Sequence, residues 1–195
     1  MYLIILGAGP LGASLTALAL DDGHDVALIE DDPASAQAAA QRFDCAVLQA
    51  DVAKGGVLQE AKVDKADALV AITADDSANL MAMFLGVEHG VENLVSVVNE
   101  PNHQRLFERL GVHVLLDPEI IIAKYLYGLV NQPSLTDLVP LPGGAEVFEI
   151  DIGAGSPLVG KSLMAIGKQK LLPRDTLVVM VKRGEATMVP SGKTQ

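Results

Sequence analysis

The sequence predicts an α/β fold, in which a doubly wound parallel sheet of six strands is followed by a small β-rich α+β module. Three observations carry this prediction. Up to about residue 130, short apolar runs alternate with helical patterns, which is typical of a parallel sheet covered by helices. Several runs are nearly unbroken Val, Ile, Leu and Ala, as expected for strands buried on both faces. Beyond residue 145 the pattern changes to alternating strands around one short helix.

Six short apolar segments predict the strands of the sheet, namely residues 2–6, 25–30, 45–50, 68–73, 94–98 and 113–116. Helical patterns lie between or after them, at 11–20, 34–42, 77–89, 102–110 and 119–130. Asp32 before Pro33 is a typical helix start, and either Asp75 or Asp76 can cap the helix that begins at 77.

The C-terminal part has its own organisation. The helix 119–130 is more apolar than one buried face requires, so we expect part of it to contact another subunit or the second module. Pro, Gly and Asn then mark a linker over 134–144. We therefore predict a nucleotide-binding domain over 1–133 and a second module over 145–195, with strands at 146–152 and 176–182 and a helix at 161–166.

Composition excludes several classes of function. Of 195 residues, 14 are Lys or Arg and 25 are Asp or Glu, which gives a net charge of −11. Such an acidic surface repels phosphate backbones, so we expect no nucleic-acid partner. Cys45 is the one cysteine, which excludes an intrachain disulfide and any multi-cysteine zinc site. A reducing cytoplasm fits this composition best.

The first twenty residues carry no charge and are long enough to span a bilayer. No Lys or Arg precedes them, however, and three glycines and Pro10 interrupt their middle, which favours a turn between two buried elements. We expect no membrane insertion.

A glycine-rich loop follows the first strand. Gly7-Ala8-Gly9-Pro10-Leu11-Gly12 fits the pattern G-x-G-x-x-G between a strand and a helix, the Rossmann-like context in which the pattern is informative. The first glycine permits a tight turn, the second lets the backbone approach a pyrophosphate, and the third lets the helix pack closely on the sheet. The helix N-terminus then offers free N–H groups to phosphate.

Acidic and polar residues follow the other strands. Glu30 ends the second strand, where a carboxylate accepts hydrogen bonds from the ribose of an adenosine and repels a 2′-phosphate. This favours NAD or another adenine nucleotide over NADP. Carboxyl ends of strands are also where ligands bind in open parallel sheets, and loop or cap chemistry is the alternative there. The further candidate binding residues at this rim are Asp31, Asp51, Val52, Thr73, Ala74, Asp75 and Asn99.

No catalytic or metal-binding constellation is evident. None of the four histidines has a Ser, Cys or Asp partner at a suitable spacing, and no zinc, calcium or P-loop motif is present. A typical dehydrogenase needs a substantial substrate domain with a proton donor, and only a small module remains. We therefore expect a bound nucleotide that is not used chemically.

Five segments together resemble a known family: GAGPLG (7–12), IEDDP (29–33), AD (50–51), AITADDSAN (71–79) and VNEPNH (98–103). They are similar to the TrkA-N domain, also called RCK or KTN, a regulator of potassium conductance. SPLVGKSL (156–163) and VPSG (189–192) resemble parts of a TrkA-C domain. The second module ends before the Gly-Asp turn and final strand of that domain, so we expect it to be partial.

The resemblance implies a cytosolic subunit that binds NAD(H) or ADP/ATP and gates a membrane-embedded potassium transporter or channel. Such domains pair through the helix after the sixth strand, here 117–130, and the homodimers assemble into tetrameric or octameric rings at the inner face of the membrane. Relatives that favour ATP often carry Arg where this sequence has Pro10. We therefore expect NAD(H) or ADP to bind more tightly than ATP.

Two alternatives stay open on the sequence. One is an NAD-dependent oxidoreductase or a fragment of one, against which the lack of a catalytic domain counts. The other is the excised soluble domain of a potassium channel or efflux antiporter, although Met1 directly before the first strand favours a separate chain.

Overall fold

The computed structural model describes residues 1–131, 135–141, 145–173 and 175–194, without the side chains of Leu135 and Pro140. The chain divides into two compact units, Met1–Ile122 and Ala123–Gln195. Among the helices in these ranges, none is both long and apolar enough to cross a bilayer.

The first unit contains a parallel sheet of six strands. Their bounds are β1 (Tyr2–Leu6), β2 (Asp25–Glu30), β3 (Ala46–Gln49), β4 (Ala68–Ala71), β5 (Asn93–Val98) and β6 (His113–Leu116). The order in the sheet is β3-β2-β1-β4-β5-β6, and every pairing is parallel. The strand order reverses between β1 and β4, which is where doubly wound sheets bind their ligands. The predicted fold class is therefore confirmed.

Helices connect these strands and follow the last one. They are α1 (Pro10–Asp21), α2 (Pro33–Arg42), α3 (Val57–Glu60), α4 (Asp76–Glu88), α5 (Gln104–Arg109) and α6 (Pro118–Asn131). The predicted start signals are in place, since Asp32 caps α2 through Ser35 N–H and Asp75 caps α4 through Ser77 N–H. Residues 101–103 form a 3₁₀ turn, so α5 begins later than predicted.

The core lies on both faces of the sheet. Along β1, Leu3 and Ile5 belong to one buried cluster, while Ile4 and Leu6 belong to the other. Residues of α1 and α2 cover the first cluster, and residues of α3, α4 and α5 cover the second, including the fully buried Phe107. Burial of one such side chain stabilises the fold by about 1.5–3 kcal/mol. The loops at the carboxyl edge are thereby held on a rigid sheet.

The described part of the second unit contains two small antiparallel pairs of strands. The strands β7 (Leu135–Pro140) and β8 (Glu146–Ile150) form one, and β9 (Val181–Arg183) and β10 (Ala186–Met188) form the other. The helix α7 (Leu163–Lys168) lies between them in sequence, capped by the Ser162 hydroxyl. Part of the segment predicted as a linker, 134–144, is thus strand β7, while residues 134 and 142–144 of that segment lie outside the described residues. The domain boundaries stay a prediction.

One strand prediction is wrong over most of its length. Residues 176–182 were expected to form a strand, but only Val181 and Lys182 belong to β9, while 176–180 have no strand pairing. The last pair of the hairpin joins Met188 to Val181. Pro190 follows two residues later and has no N–H with which to extend the ladder.

Candidate nucleotide-binding site

The glycine loop connects β1 to α1 and is tied to the neighbouring strands. Gly7 has φ +109°, a backbone conformation that residues with a side chain rarely adopt. Its N–H donates to the Ile29 carbonyl oxygen at 2.8 Å, which fixes the loop to β2. On the other side, a Cβ at Gly7 would lie 3.3 Å from Cγ2 of Thr73, so Thr73 packs directly against the loop.

The other two glycines differ in their surroundings. A Cβ at Gly12 would lie 1.9 Å from the Gly7 carbonyl oxygen, so a side chain at this position is excluded. A Cβ at Gly9 would meet nothing within 4 Å. The space beside Gly9 is therefore open, which a backbone that approaches a pyrophosphate requires.

The N-terminus of α1 is free of side-chain caps. Gly9 is the N-cap residue, Pro10 occupies the first turn, and no side chain accepts a hydrogen bond there. The first helical hydrogen bond runs from Ala13 N–H to the Gly9 carbonyl oxygen at 2.8 Å. The N–H groups of Leu11 and Gly12 thus precede the helical ladder and are available to an anion, together with the positive end of the helix dipole.

Glu30 is bound at both of its carboxylate oxygens. Oε2 accepts a hydrogen bond from Ala8 N–H of the glycine loop at 2.6 Å, and Oε1 accepts one from Asp32 N–H at 3.0 Å. A carboxylate has about four lone-pair sites, so each oxygen keeps one for a further donor such as a ribose hydroxyl. The two backbone donors hold the group beside the loop before any ligand arrives.

A cleft of about 560 Å³ lies beyond the ends of β2 and β3. Asp31 and Asp51 line it together with Lys54 and Glu60. Asp51 caps a 3₁₀ turn through Ala53 N–H, and its other oxygen lies 3.8 Å from Lys54 Nζ. That exposed ion pair contributes at most about 1 kcal/mol. Val52 was also predicted for this site, but it is buried and is not among the residues that line the cleft.

The turn after β4 contains three further predicted residues, Thr73, Ala74 and Asp75. Thr73 N–H and Thr73 Oγ1 both donate to Oδ1 of Asn79, at 3.1 and 2.7 Å. Asn79 Nδ2 donates in turn to the carbonyl oxygens of Thr73 and Val97. Ala74 is exposed, and the Asp75 carboxylate is occupied by Ser77 N–H at 2.8 Å. Asn79 is fully buried with its amide fully satisfied, so it fixes the position of Thr73 beside the loop.

Asp76 joins this turn to the loop after β5. Its Oδ1 accepts from Asn99 N–H and Asn99 Nδ2, both at 2.8 Å, while Oδ2 accepts from Glu100 N–H at 2.9 Å and His103 Nδ1 at 2.8 Å. Burial by itself would raise the pKa of Asp76. The hydrogen bonds from Asn99, Glu100 and His103 outweigh it, so the pKa of Asp76 lies below its ordinary value.

Three residues of this network were not among the predicted site residues, namely Asp76, Asn79 and His103. Asp76 was considered only as a helix cap, and the structure gives that role to Asp75. One signal could have found Asn79, because an amide on the buried face of an otherwise apolar helix needs polar partners.

Among the described residues, no group of three or more His, Cys, Asp or Glu is arranged to hold a metal ion.

A doubly wound parallel sheet with an uncapped glycine loop at its switch point defines the class of α/β nucleotide-binding domains. Within this class, the family model of the TrkA-N domain matches residues 3–118. The chain belongs to the TrkA-N domain family.

Two relatives are named Trk system potassium uptake protein TrkA homolog. The protein from Methanothermobacter thermautotrophicus is 35% identical over 162 residues, which cover 83% of this chain and 74% of the relative. The protein from Pyrococcus horikoshii is 29% identical over 203 aligned residues, covering all of this chain and 86% of the relative.

Solved structures share the fold. A GsuK channel bound to NAD aligns over 99% of this chain and 35% of its own, with a TM-score of 0.63 and 21% identity. A structure of GsuK bound to ADP aligns over 62% of this chain and 32% of its own, with a TM-score of 0.53 and 21% identity. At these identities the likeness establishes the architecture.

Proposed function

We propose that this chain is a nucleotide-binding regulatory subunit of a membrane-embedded potassium transporter or channel, and that it acts from the cytosolic side without catalysing a reaction. The observation that carries the proposal is the joint arrangement of the glycine loop, the free N-terminus of α1 and the prepositioned Glu30 at one edge of the sheet. The names of the curated relatives support the link to potassium uptake.

The regulatory ligand is NAD(H) or ADP/ATP. A pyrophosphate needs only the loop amides and the helix terminus, both of which are present, and the ribose needs a carboxylate such as Glu30. Structural neighbours bound to NAD and to ADP support this choice of ligand. Pro10 brings neither charge nor an N–H group to the loop, so a third phosphate gains no cation at this position.

The chain assembles as a homodimer through α6, and dimers build a larger ring of four or eight subunits beneath the membrane partner. Support comes from an apolar stripe along α6, since Ile122, Leu126 and Val130 follow one another at intervals of four residues and are 59%, 55% and 78% exposed. Exposed side chains at this spacing share one helix face and favour a partner surface.

Potassium flux tests the proposal. Proteoliposomes containing the Trk-type membrane subunit of the same organism would be measured with and without this chain, and with NAD or ADP added. We expect the nucleotide to change the flux only when the chain is present, and a Gly9→Ala variant to remove that response. Flux that is the same in all conditions, or consumption of NADH by the chain with a small carbonyl substrate, would contradict the proposal.

A further inference from the structure

The side-chain amide of Asn99 has a defined orientation at the carboxyl end of β5. Its Nδ2 donates to the Thr73 carbonyl oxygen at 3.2 Å and to Asp76 Oδ1 at 2.8 Å. Both partners are acceptors, so the two amide hydrogens are used and the amide nitrogen must face them. Asn99 Oδ1 takes the other position and, within the described part of the chain, receives no hydrogen bond.

Asp76 prevents the Asn99 amide from turning over. Asp76 is buried, with 8% of the residue exposed, and its other carboxylate oxygen is held by Glu100 N–H and His103 Nδ1. Turning the amide by 180° would bring Asn99 Oδ1 against this carboxylate and against the Thr73 carbonyl oxygen. Two hydrogen bonds would be replaced by two repulsive contacts between acceptors, which is unfavourable. Asn99 is therefore held as an acceptor.

The position of Asn99 in the sheet indicates which end of a bound dinucleotide would lie beside it. It follows β5, which pairs with β4, and β4 pairs with β1 at the point where the strand order reverses. A dinucleotide lies across such a point with one nucleoside on each side. Glu30 lies on the side of the first nucleoside, so Asn99 lies on the side of the second.

We propose that Asn99 is a specificity-determining residue that accepts a hydrogen bond from the second nucleoside of a dinucleotide, with Asp76 as the positioning residue that fixes its amide. The inference rests on the proposed nucleotide-binding function and selects a nicotinamide dinucleotide over ADP and ATP. The second nucleoside of NAD carries donors, in its ribose hydroxyls and its carboxamide N–H groups. ADP and ATP have no second nucleoside, and their terminal phosphates offer only acceptors, so neither can donate a hydrogen bond to the Asn99 oxygen.

Titration calorimetry of the full chain with NAD, ADP-ribose and ADP tests this inference. We expect the wild-type chain to bind NAD more tightly than ADP. Asn99→Ala should lower the NAD affinity about three- to tenfold, the scale of one net hydrogen bond, and leave the ADP affinity within about twofold. ADP-ribose has the second ribose but no carboxamide, so it distinguishes the two donors. If a ribose hydroxyl is the donor, Asn99→Ala lowers the affinity for ADP-ribose as it lowers that for NAD. If the carboxamide is the donor, the affinity for ADP-ribose stays unchanged, like that for ADP.

Asn93→Ala is the matched control, because this asparagine lies at the amino end of the same strand, where its Nδ2 donates to the Asp67 carbonyl oxygen. It should change neither affinity. Asp76→Asn should reduce the ratio of NAD to ADP affinity as Asn99→Ala does, an effect that a general loss of stability would not produce.

Two results would overturn this inference and leave the proposed function standing. One is a wild-type chain that binds ADP as tightly as NAD, which needs no variant to test. The other is an Asn99→Ala variant that lowers the affinities for NAD and ADP by the same factor, or lowers neither. Wild-type chain that binds none of the three ligands would instead contradict the proposed function, and the inference with it.

Discussion

Gly9 and Gly12 lie in the same loop, but their different surroundings predict that one substitution affects stability and the other affects binding. Gly12→Ala places a Cβ against a backbone oxygen that cannot move aside, and we expect it to lower the free energy of unfolding by about 1–3 kcal/mol or more. Gly9→Ala meets open space, so it should keep the stability of the wild type and weaken the binding of NAD. Urea unfolding and NAD titration of both variants check this. Equal stability of the two variants would contradict the account of the loop.

Asp76 makes the stability of the fold depend on acid pH. Because hydrogen bonds hold its folded-state pKa below the ordinary value of 3.8, its contribution is present above that value and is lost as the pH falls through the folded-state pKa. Asp76→Asn leaves donors without an acceptor and should lower the free energy of unfolding by about 1–3 kcal/mol at pH 7. Urea unfolding should show that this difference shrinks below about pH 3.8.

Asp44→Asn is the control for that experiment, because Asp44 is exposed on the loop before β3. It should unfold like the wild type at both pH values. A difference between wild type and Asp76→Asn that is the same at pH 7 and pH 3 would show that the Asp76 charge is not what stabilises the turn.

At the scale of elements, α6 carries the proposal of assembly. We expect Leu126→Asp to dissociate the oligomer, because an unpaired charge in an apolar interface is costly. Lys124→Asp changes an exposed residue of the same helix outside the Ile122–Leu126–Val130 stripe and should leave assembly intact. Multi-angle light scattering measures both. A wild-type chain that runs as a monomer would refute the role given to α6.

The elements of the sheet were predictable because each strand is a local apolar run. The strands β1, β2 and β6 have the bounds expected, and β3 and β4 lie within the segments expected for them. Residues 176–180 were equally apolar and β-branched, yet they have no strand pairing. A strand needs a partner as well as a propensity, and Pro190 ends the ladder on the side of β10. Pairing between segments is a tertiary property that local composition does not contain.

At the scale of the whole molecule, the order of strands followed from the rules of doubly wound sheets. The family predicted from short motifs is confirmed by the match of the family model. The glycine loop and Glu30 were predictable because the dinucleotide-binding pattern assigns positions to the glycines and to the acid that ends the second strand. The network of Asp76, Asn79 and Asn99 was not, because it joins residues that are distant in sequence and meet only when β4 and β5 pair. The binding role of the predicted site residues stays a prediction.

One measurement tests the central claim, that the carboxyl edge of this sheet binds an adenine dinucleotide through the glycine loop and Glu30. NAD and NADP would be titrated into the wild-type chain, Glu30→Ala and, as a control at the opposite edge of the sheet, Glu92→Ala. We predict that the wild type binds NAD well and NADP far more weakly, and that only Glu30→Ala lowers the NAD affinity, by about 1–3 kcal/mol. NADP binding as tight as NAD, or Glu30→Ala without effect on NAD, would contradict the account.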